Sequence, residues 1–259
     1  MDKLNHNPMD GSLKVIGFMS GSGTNLINII KKGFELEKEK GKLVYEVVAI
    51  FTDNSYSRAF KIGKMFDIPV IYRDINSFYS SRNIDKRDME TRIEYDNCTV
   101  QLLKSFKANI IIFCGYMSIV TGPLINNYIG INVHPADLSI EVNGKRKYIG
   151  GMAIRDTIIA GEKYIRSTTH IVSQFVDQGQ ILMISSPVRV MNCKKLEGDY
   201  NENDRLRHKV LYNLNRLKKK GDHVVFPKTL EYISEGRFYL SENGKILFDG
   251  KEIPNGLKL

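Results

Sequence analysis

Leu13-Lys14-Val15-Ile16-Gly17-Phe18-Met19-Ser20-Gly21-Ser22-Gly23-Thr24-Asn25 decides the fold class. The apolar run from Leu13 to Met19 ends in small polar residues and reads as a buried strand. Helical spacing follows from Asn25 to Lys38, with Leu26, Ile29, Ile30 and Phe34 on one face. The alternation then repeats: a strand at Tyr45 to Thr52, a helix at Ser57 to Phe66, a short strand at Ile68 to Tyr72, a helix at Thr91 to Lys107, and strands at Asn109 to Phe113 and Ile129 to Val133. Strand alternating with helix predicts the α/β class, a Rossmann-like, mostly parallel sheet with helices on both faces. Ligands then bind beyond the carboxyl ends of the strands. Arg73 to Met89 is polar and reads as a long loop. After Gly150 the pattern predicts a helix (Gly151 to Ala160), two strands (Arg166 to Phe175, Ile181 to Val190), two helices (Asn203 to Lys220, Val224 to Ser234) and a hairpin around Asn243-Gly244.

Residues 1–12 read as a flexible, polar N-terminal tail without the apolar core of a signal peptide, and 13–259 as a single domain. Hydrophobic residues at 42% suffice for a sizeable core and argue against a disordered or fibrous chain. No apolar run reaches the ~18 residues of a membrane helix, so no membrane partner is expected. Cys98, Cys114 and Cys193 are too few and too scattered for a disulfide framework or a metal knuckle, so no metal is expected and the expected compartment is the reducing cytoplasm. The net charge of +9 either favours anionic partners (phosphorylated metabolites, nucleic acid, polyglutamylated cofactors) or serves solubility alone. Its densest runs, 145–147 and 218–220, carry no interleaved aromatics, which argues against nucleic acid.

Gly21, Ser22, Gly23, Thr24 and Asn25 lie between the first strand and the first helix. The two glycines let the backbone turn tightly, and the helix N-terminus adds partial positive charge, so an anion fits there. No Lys follows the last Gly as a Walker loop needs, and Leu26 replaces the third glycine of a dinucleotide fingerprint. The loop therefore suits a monophosphate, or else is a tight turn with no ligand. Without that glycine, Asp53 reads as a loop residue and not as a ribose-binding acid.

Ile131-Asn132-Val133-His134-Pro135 is the candidate for chemistry. Residues two apart on a strand share a face, so Asn132 and His134 converge at the carboxyl end of the sheet. An amide N–H suits an oxyanion, and an imidazole carries a proton near neutral pH. Asp177, in the loop Val176-Asp177-Gln178-Gly179, is the candidate to orient the His. No Ser or Cys nucleophile stands beside His134, so direct attack on a carbonyl, with the oxyanion held by Asn132 and His134, is the expected chemistry. On spacing alone Asn-x-His also fits a satisfied structural pair. His170 reads either as support for the site or as a core histidine, His223 as structural, His6 and His208 as solvent-facing, and the Met117 side chain as packing.

With these residues, the chain resembles the folate-dependent formyltransferases, above all the branch that formylates glycinamide ribonucleotide. Five ordered segments carry the resemblance: 20–26, 114–120, 132–135, 167–179 and 221–227. It implies the formyltransferase fold, with a phosphate-binding N-terminal half and a folate-binding C-terminal half. It also implies an enzyme of purine biosynthesis and one-carbon metabolism, a monomer or homodimer. The co-substrate would be 10-formyltetrahydrofolate and the acceptor glycinamide ribonucleotide, with no metal. By the same resemblance, Asn132, His134 and Asp177 are catalytic, Gly21, Ser22, Gly23, Thr24 and Asn25 hold the substrate phosphate, and Asp222 takes the ribose. Met117, Ser118, Ile119, Val120, Phe175 and Val176 border the folate, Arg92 faces an anionic group, and His170 supports the site.

The chain departs from the family at Ala136-Asp137-Leu138-Ser139, where Ser-Leu-Leu-Pro is usual, and in the stretches 74–88 and 141–147. Asp137 places a second carboxylate beside the pair. Alternatives are a formyltransferase for another amine, a formyltetrahydrofolate hydrolase (for whose regulatory domain the dozen residues before the first strand leave no room), and a non-catalytic nucleotide- or RNA-binding domain.

Overall fold

The computed structural model describes residues 4, 6–192 and 201–259; Cys193 lies outside them. The first half alternates β1 (Leu13–Phe18), α1 (Thr24–Lys40), β2 (Tyr45–Thr52), α2 (Ala59–Phe66), β3 (Val70–Tyr72), α3 (Ile75–Ser80), α4 (Met89–Leu103), β4 (Ile110–Phe113), α5 (Gly122–Asn127) and β5 (Ile129–His134). There follow a hairpin of β6 (Glu141–Val142) and β7 (Lys145–Arg146), then α6 (Ala153–Ile159), β8 (Tyr164–Ile165), β9 (Thr168–Ile171), β10 (Ile181–Ile184) and β11 (Val188–Arg189). The chain closes with α7 (Glu202–Leu217), α8 (His223–Ser234), a meander of β12 (Phe238–Leu240), β13 (Ile246–Phe248) and β14 (Lys251–Glu252), and β15 (Leu257–Lys258).

Eight strands form the central sheet in the order β15-β10-β9-β5-β4-β1-β2-β3. Only β9 runs against its neighbours; the other pairings are parallel. The period-two alternation of side chains divides the core between the two faces. Val15, Ile50, Ile110, Ile112 and Ile131 join α1 and α8 residues in one cluster. Ile16, Phe18, Phe51, Ile111 and Phe113 join Tyr95, Val100 and Leu103 of α4 and Leu124 of α5 in the other. Phe18 anchors the second cluster, with ring centroids 4.6 Å from Phe51 and 5.3 Å from Phe113. The mostly parallel sheet covered on both faces is the architecture the strand and helix periods predict.

Where local structure departs from the sequence reading, capping and turn chemistry explain it. Arg73 to Met89 is not all loop: Asp74 caps α3 by accepting from the Ser77 N–H (2.7 Å), and Phe78 and Tyr79 are buried. The polar stretch 141–147 is a hairpin turning on Asn143 and Gly144, whose φ values of 52° and 72° fit the Asn-Gly turn. The helix expected to reach Lys220 gives way to a π-helical turn, Lys218–Asp222, that leads into α8. In the segment read as a tail, Leu4 packs into the core and Pro8–Asp10 form a 3-10 turn. His6 is buried near the Gly11 carbonyl, not solvent-facing. No helix among the described residues is long and apolar enough to cross a membrane.

The return from β9 to β10 is the tightest backbone approach near the candidate site. A Cβ on Gly179 would stand 1.8 Å from the Ile171 carbonyl oxygen. Gly179→Ala should therefore cost about 3 kcal/mol of stability in urea denaturation. Gly151→Ala, where a Cβ meets nothing within 4 Å, should change stability by less than about 0.5 kcal/mol. Equal effects would remove this account of the turn.

Candidate active site

The antiparallel pairing of β5 and β9 places Asn132 opposite His170 and His134 opposite Thr168. Directly opposed side chains meet, and Asn132 Nδ2 lies 3.3 Å from His170 Nε2. The β9–β10 connection then carries Asp177 back over both histidines. Its Oδ1 is 3.3 Å from His170 Nε2, and its Oδ2 is 3.3 Å from His134 Nδ1. The Gly150 N–H donates to Oδ2 at 2.7 Å. Asp177 holds a left-handed backbone, φ 54°, in making this approach. Of the expected trio, His134 and Asp177 meet directly, and Asn132 joins them through His170.

The electrostatics follow from burial and partners. Burial works against the Asp177 charge, but the bond from His170, the positive charge His134 can carry and the Gly150 N–H hold its pKa down to about 2. Burial lowers the His134 pKa, against the pull of Asp177 and the Tyr148 carbonyl. That carbonyl lies 2.9 Å from His134 Nε2, so both ring nitrogens face acceptors. Asp137 does not compete with Asp177: its carboxylate accepts from Ser139 and lies 3.6 Å from Arg166.

Beside this group is a cavity of about 150 Å³, lined among others by Tyr116, Ser118, Ile119, Val120, Asn132, His170, Phe175, Val176 and Asp177. Five of the six expected folate-contact residues border it. The sixth, Met117, has an exposed side chain, so the packing role expected for it does not hold, while its N–H donates to Ser20 Oγ (3.1 Å). His134 is not among the lining residues; Tyr148 lies over it. Ser118 and Ile119 also line a second cavity of about 390 Å³ with Lys86, Arg87 and Arg92. Arg92 is buried, with Nη2 donating to Asp96 (2.7 Å) and Tyr116 (3.2 Å), while Nε and Nη1 have no hydrogen-bond partner.

The glycine loop leaves β1 at the point where strand order reverses, between β1 and β4, the usual ligand position of such sheets. Gly23 caps α1 with φ 64°, and a Cβ there would meet Ile62 Cδ1 at 2.5 Å and Met19 Cε at 2.7 Å. No side chain caps this helix, so its first amides are free of an internal cap. Asn25 donates to Asp222 Oδ2 (3.0 Å), whose Oδ1 accepts from Ser167 (2.5 Å). Asp222 is therefore buried against the loop with a donor on each oxygen, and burial raises its pKa.

Asp53 is the loop residue the sequence suggests, but its role in joining two loops was not foreseen. It is buried at the carboxyl end of β2, accepting from Ser20 Oγ at 2.7 Å on one oxygen and from Ser118 Oγ on the other. One carboxylate thereby ties the glycine loop to the cavity wall. An acid ending an apolar strand was the available signal. Arg146 and Tyr148 were missed because they act on or through backbone carbonyls. Among the described residues, no cluster of three or more His, Cys, Asp or Glu is placed to hold a metal.

A family model described as formyl transferase matches residues 13–213. The trifunctional purine biosynthetic protein adenosine-3 of Gallus gallus is 25% identical over 237 residues, 90% of this chain and 20% of that protein. The chain thus spans about a fifth of that relative's length. The phosphoribosylglycinamide formyltransferase of Haemophilus influenzae is 23% identical over 93% of this chain and 96% of its own. Among solved structures, the phosphoribosylglycinamide formyltransferase of Coxiella burnetii has the same fold, with a TM-score of 0.67 at 20% identity over 96% of this chain and 99% of that one.

The depressed pKa makes Asp177 a pH-dependent source of stability. Its ordinary value is 3.8, so its contribution is complete above about pH 4 and is lost as pH falls through 2. The stability difference between wild type and Asp177→Asn should shrink by about 2 kcal/mol between pH 5 and pH 2 in urea denaturation. A difference that stays constant over that range would mean the carboxylate is not held by these partners.

Proposed function

Since the chain belongs to the formyl transferase family, we propose that it transfers a formyl group from 10-formyltetrahydrofolate to the amine of glycinamide ribonucleotide, a step of purine synthesis. One observation carries this reading. Asp53 joins a phosphate-type loop to the wall of the cavity that Asn132, His170 and Asp177 line. A phosphorylated amine and a second reactant can therefore meet at one amide and one imidazole–carboxylate pair. The relatives from Haemophilus influenzae and Coxiella burnetii, which match over nearly their whole length, support the same substrate.

The two cavities that share Ser118 and Ile119 suit an elongated co-substrate. Its ring system fits the aromatic and apolar wall of the smaller cavity. Its anionic tail fits the larger one, where Arg92 keeps unpartnered N–H groups beside Lys86 and Arg87. A reducing, cytoplasmic setting is consistent with Cys98 and Cys114, both free thiols.

In the proposed reaction the amine nitrogen bonds to the formyl carbon, and negative charge builds on the formyl oxygen. Asn132 donates an amide N–H to that oxygen. The proton the amine gives up is accepted by the imidazole–carboxylate group, in which Asp177 stabilises the imidazolium of His134. It is then delivered to the departing folate nitrogen as the carbon–nitrogen bond to folate breaks. Tyr148 must leave His134 Nε2 for that nitrogen to reach the reacting atoms. The Gly23, Thr24 and Asn25 segment at the start of α1 holds the 5′-phosphate, and Asp222 exchanges its internal donors for the ribose hydroxyls.

An absorbance assay of 10-formyltetrahydrofolate consumption tests the reading. Turnover should require glycinamide ribonucleotide; turnover without the amine would make the protein a hydrolase, and no turnover with either would overturn the proposal. Asn132→Ala should lower kcat by about 10²–10³-fold, and His134→Ala by about 10²–10⁴-fold. Glycinamide ribonucleotide binding by calorimetry should stay within about threefold, because its phosphate is held by a separate loop.

A further inference from the structure

The hairpin of β6 and β7 has a contact with the site that the reaction does not use. Its Arg146 Nη1 donates to two backbone carbonyls of one loop, those of Asp177 (2.5 Å) and Gly179 (2.8 Å). The loop's own bonds are turn bonds at its start, from Ser173 Oγ and the Gln178 N–H to the Phe175 carbonyl, while His134, His170 and the Gly150 N–H hold the Asp177 carboxylate. Phe175 and Val176 are exposed at 64% and 62% and supply no apolar anchor. Asp177 holds a left-handed backbone, φ 54°, which is unfavourable for a residue with a Cβ. The hairpin is closed by its own bonds: two paired strands on an Asn-Gly turn, with the Lys147 N–H donating to the Ile140 carbonyl at its base. Arg146 touches neither the cavity nor a side chain of the catalytic group.

We propose that Arg146 is a positioning residue: by bridging the carbonyls of Asp177 and Gly179 it locks the loop in the one conformation that sets the Asp177 carboxylate between His134 and His170. A guanidinium suits this task, because its planar donors span two acceptors at little entropic cost. The stretch 141–147, in which the chain departs from the family's usual sequence, thereby gains a role. The inference rests on the proposed function only in taking Asp177 as the carboxylate that serves His134.

Among the described residues, the titratable and charged groups facing His134 are Asp177, His170 and Arg146. Arg146 acts on the ring in two opposed ways. Its charge disfavours the imidazolium, and its hold on Asp177 favours it. A double-mutant cycle separates the two effects. The His134 titration is followed by NMR of its imidazole in the full chain, without substrates, for wild type, Asp177→Asn, Arg146→Met and the double variant.

Asp177→Asn should lower the His134 pKa by about one in the wild-type background. In the Arg146→Met background it should lower it by less than a third of that. A full-sized Asp177 effect in both backgrounds overturns the proposal, since Arg146 would then contribute charge alone. Arg146→Lys keeps the charge on a shorter side chain without the fixed planar N–H pair that reaches both carbonyls, and should show an intermediate Asp177 effect; the cycle is run on this variant if Arg146→Met does not fold.

In steady-state assays with both substrates, Arg146→Met should lower kcat by about 10–100-fold with each KM within about twofold. An unchanged kcat also overturns the proposal. A wild-type chain without formyl transfer would refute the proposed function, and the titration cycle would still decide the role of Arg146.

Discussion

The Asp177 carboxylate gathers the candidate site by accepting from three places in the chain: His134 at the end of β5, His170 in β9, and the Gly150 N–H on the strap between the hairpin and α6. A charge removed from water at this depth is tolerated only when such partners replace its hydration. The requirement works in both directions. The carboxylate orders the two imidazoles, and they keep it ionised well below the ordinary carboxylate range. The close contact of Gly179 with the Ile171 carbonyl sets how sharply the chain returns, and so how far Asp177 reaches.

A second carboxylate does equivalent work at the other end of the site. Asp53 lies where β2 ends and accepts from Ser20 and Ser118, which belong to the loops after β1 and β4. The backbone pairs the same loops through the Ser20 N–H and the Gly115 carbonyl at 3.1 Å. The crevice opened by the reversal of strand order is thereby bridged. For the proposed reaction between two bound molecules such bridging bears on rate more than on affinity, because an error of about 1 Å between reactants costs about 10²-fold in rate.

The sheet was legible because its signal is local. Ile110-Ile111-Ile112 and the alternation of Ile131, Asn132, Val133 and His134 need no distant partner to be read, and the structure puts Ile131 in the core and Asn132 on the cavity wall. Asp177 could be named because it sits in a loop between two predicted strands and in a segment that resembles the family's. What escaped was long-range or carried by the backbone. Arg146 binds carbonyls 31 and 33 residues away, and carbonyls leave no mark in a sequence. The partner of His134 Nε2 is likewise a carbonyl, that of Tyr148. β15 escaped for a different reason: two residues at a sheet edge carry no period.

In the proposed reaction, the surroundings of His134 bear on how one ring would serve both halves of a proton transfer. Burial favours the neutral ring. Yet Nδ1 faces the Asp177 carboxylate and Nε2 faces the Tyr148 carbonyl, so either neutral tautomer leaves a lone pair against an acceptor. The imidazolium alone donates to both. The two tendencies oppose each other within one cage, with burial the larger. In the proposed reaction the ring must first accept a proton and then release it; the two acceptors favour the first step and burial the second. Displacing the Tyr148 carbonyl would free Nε2 for the reacting atoms and leave Asp177 as the partner of Nδ1, so the charge of the ring would remain balanced while its reactive nitrogen turned to the substrate.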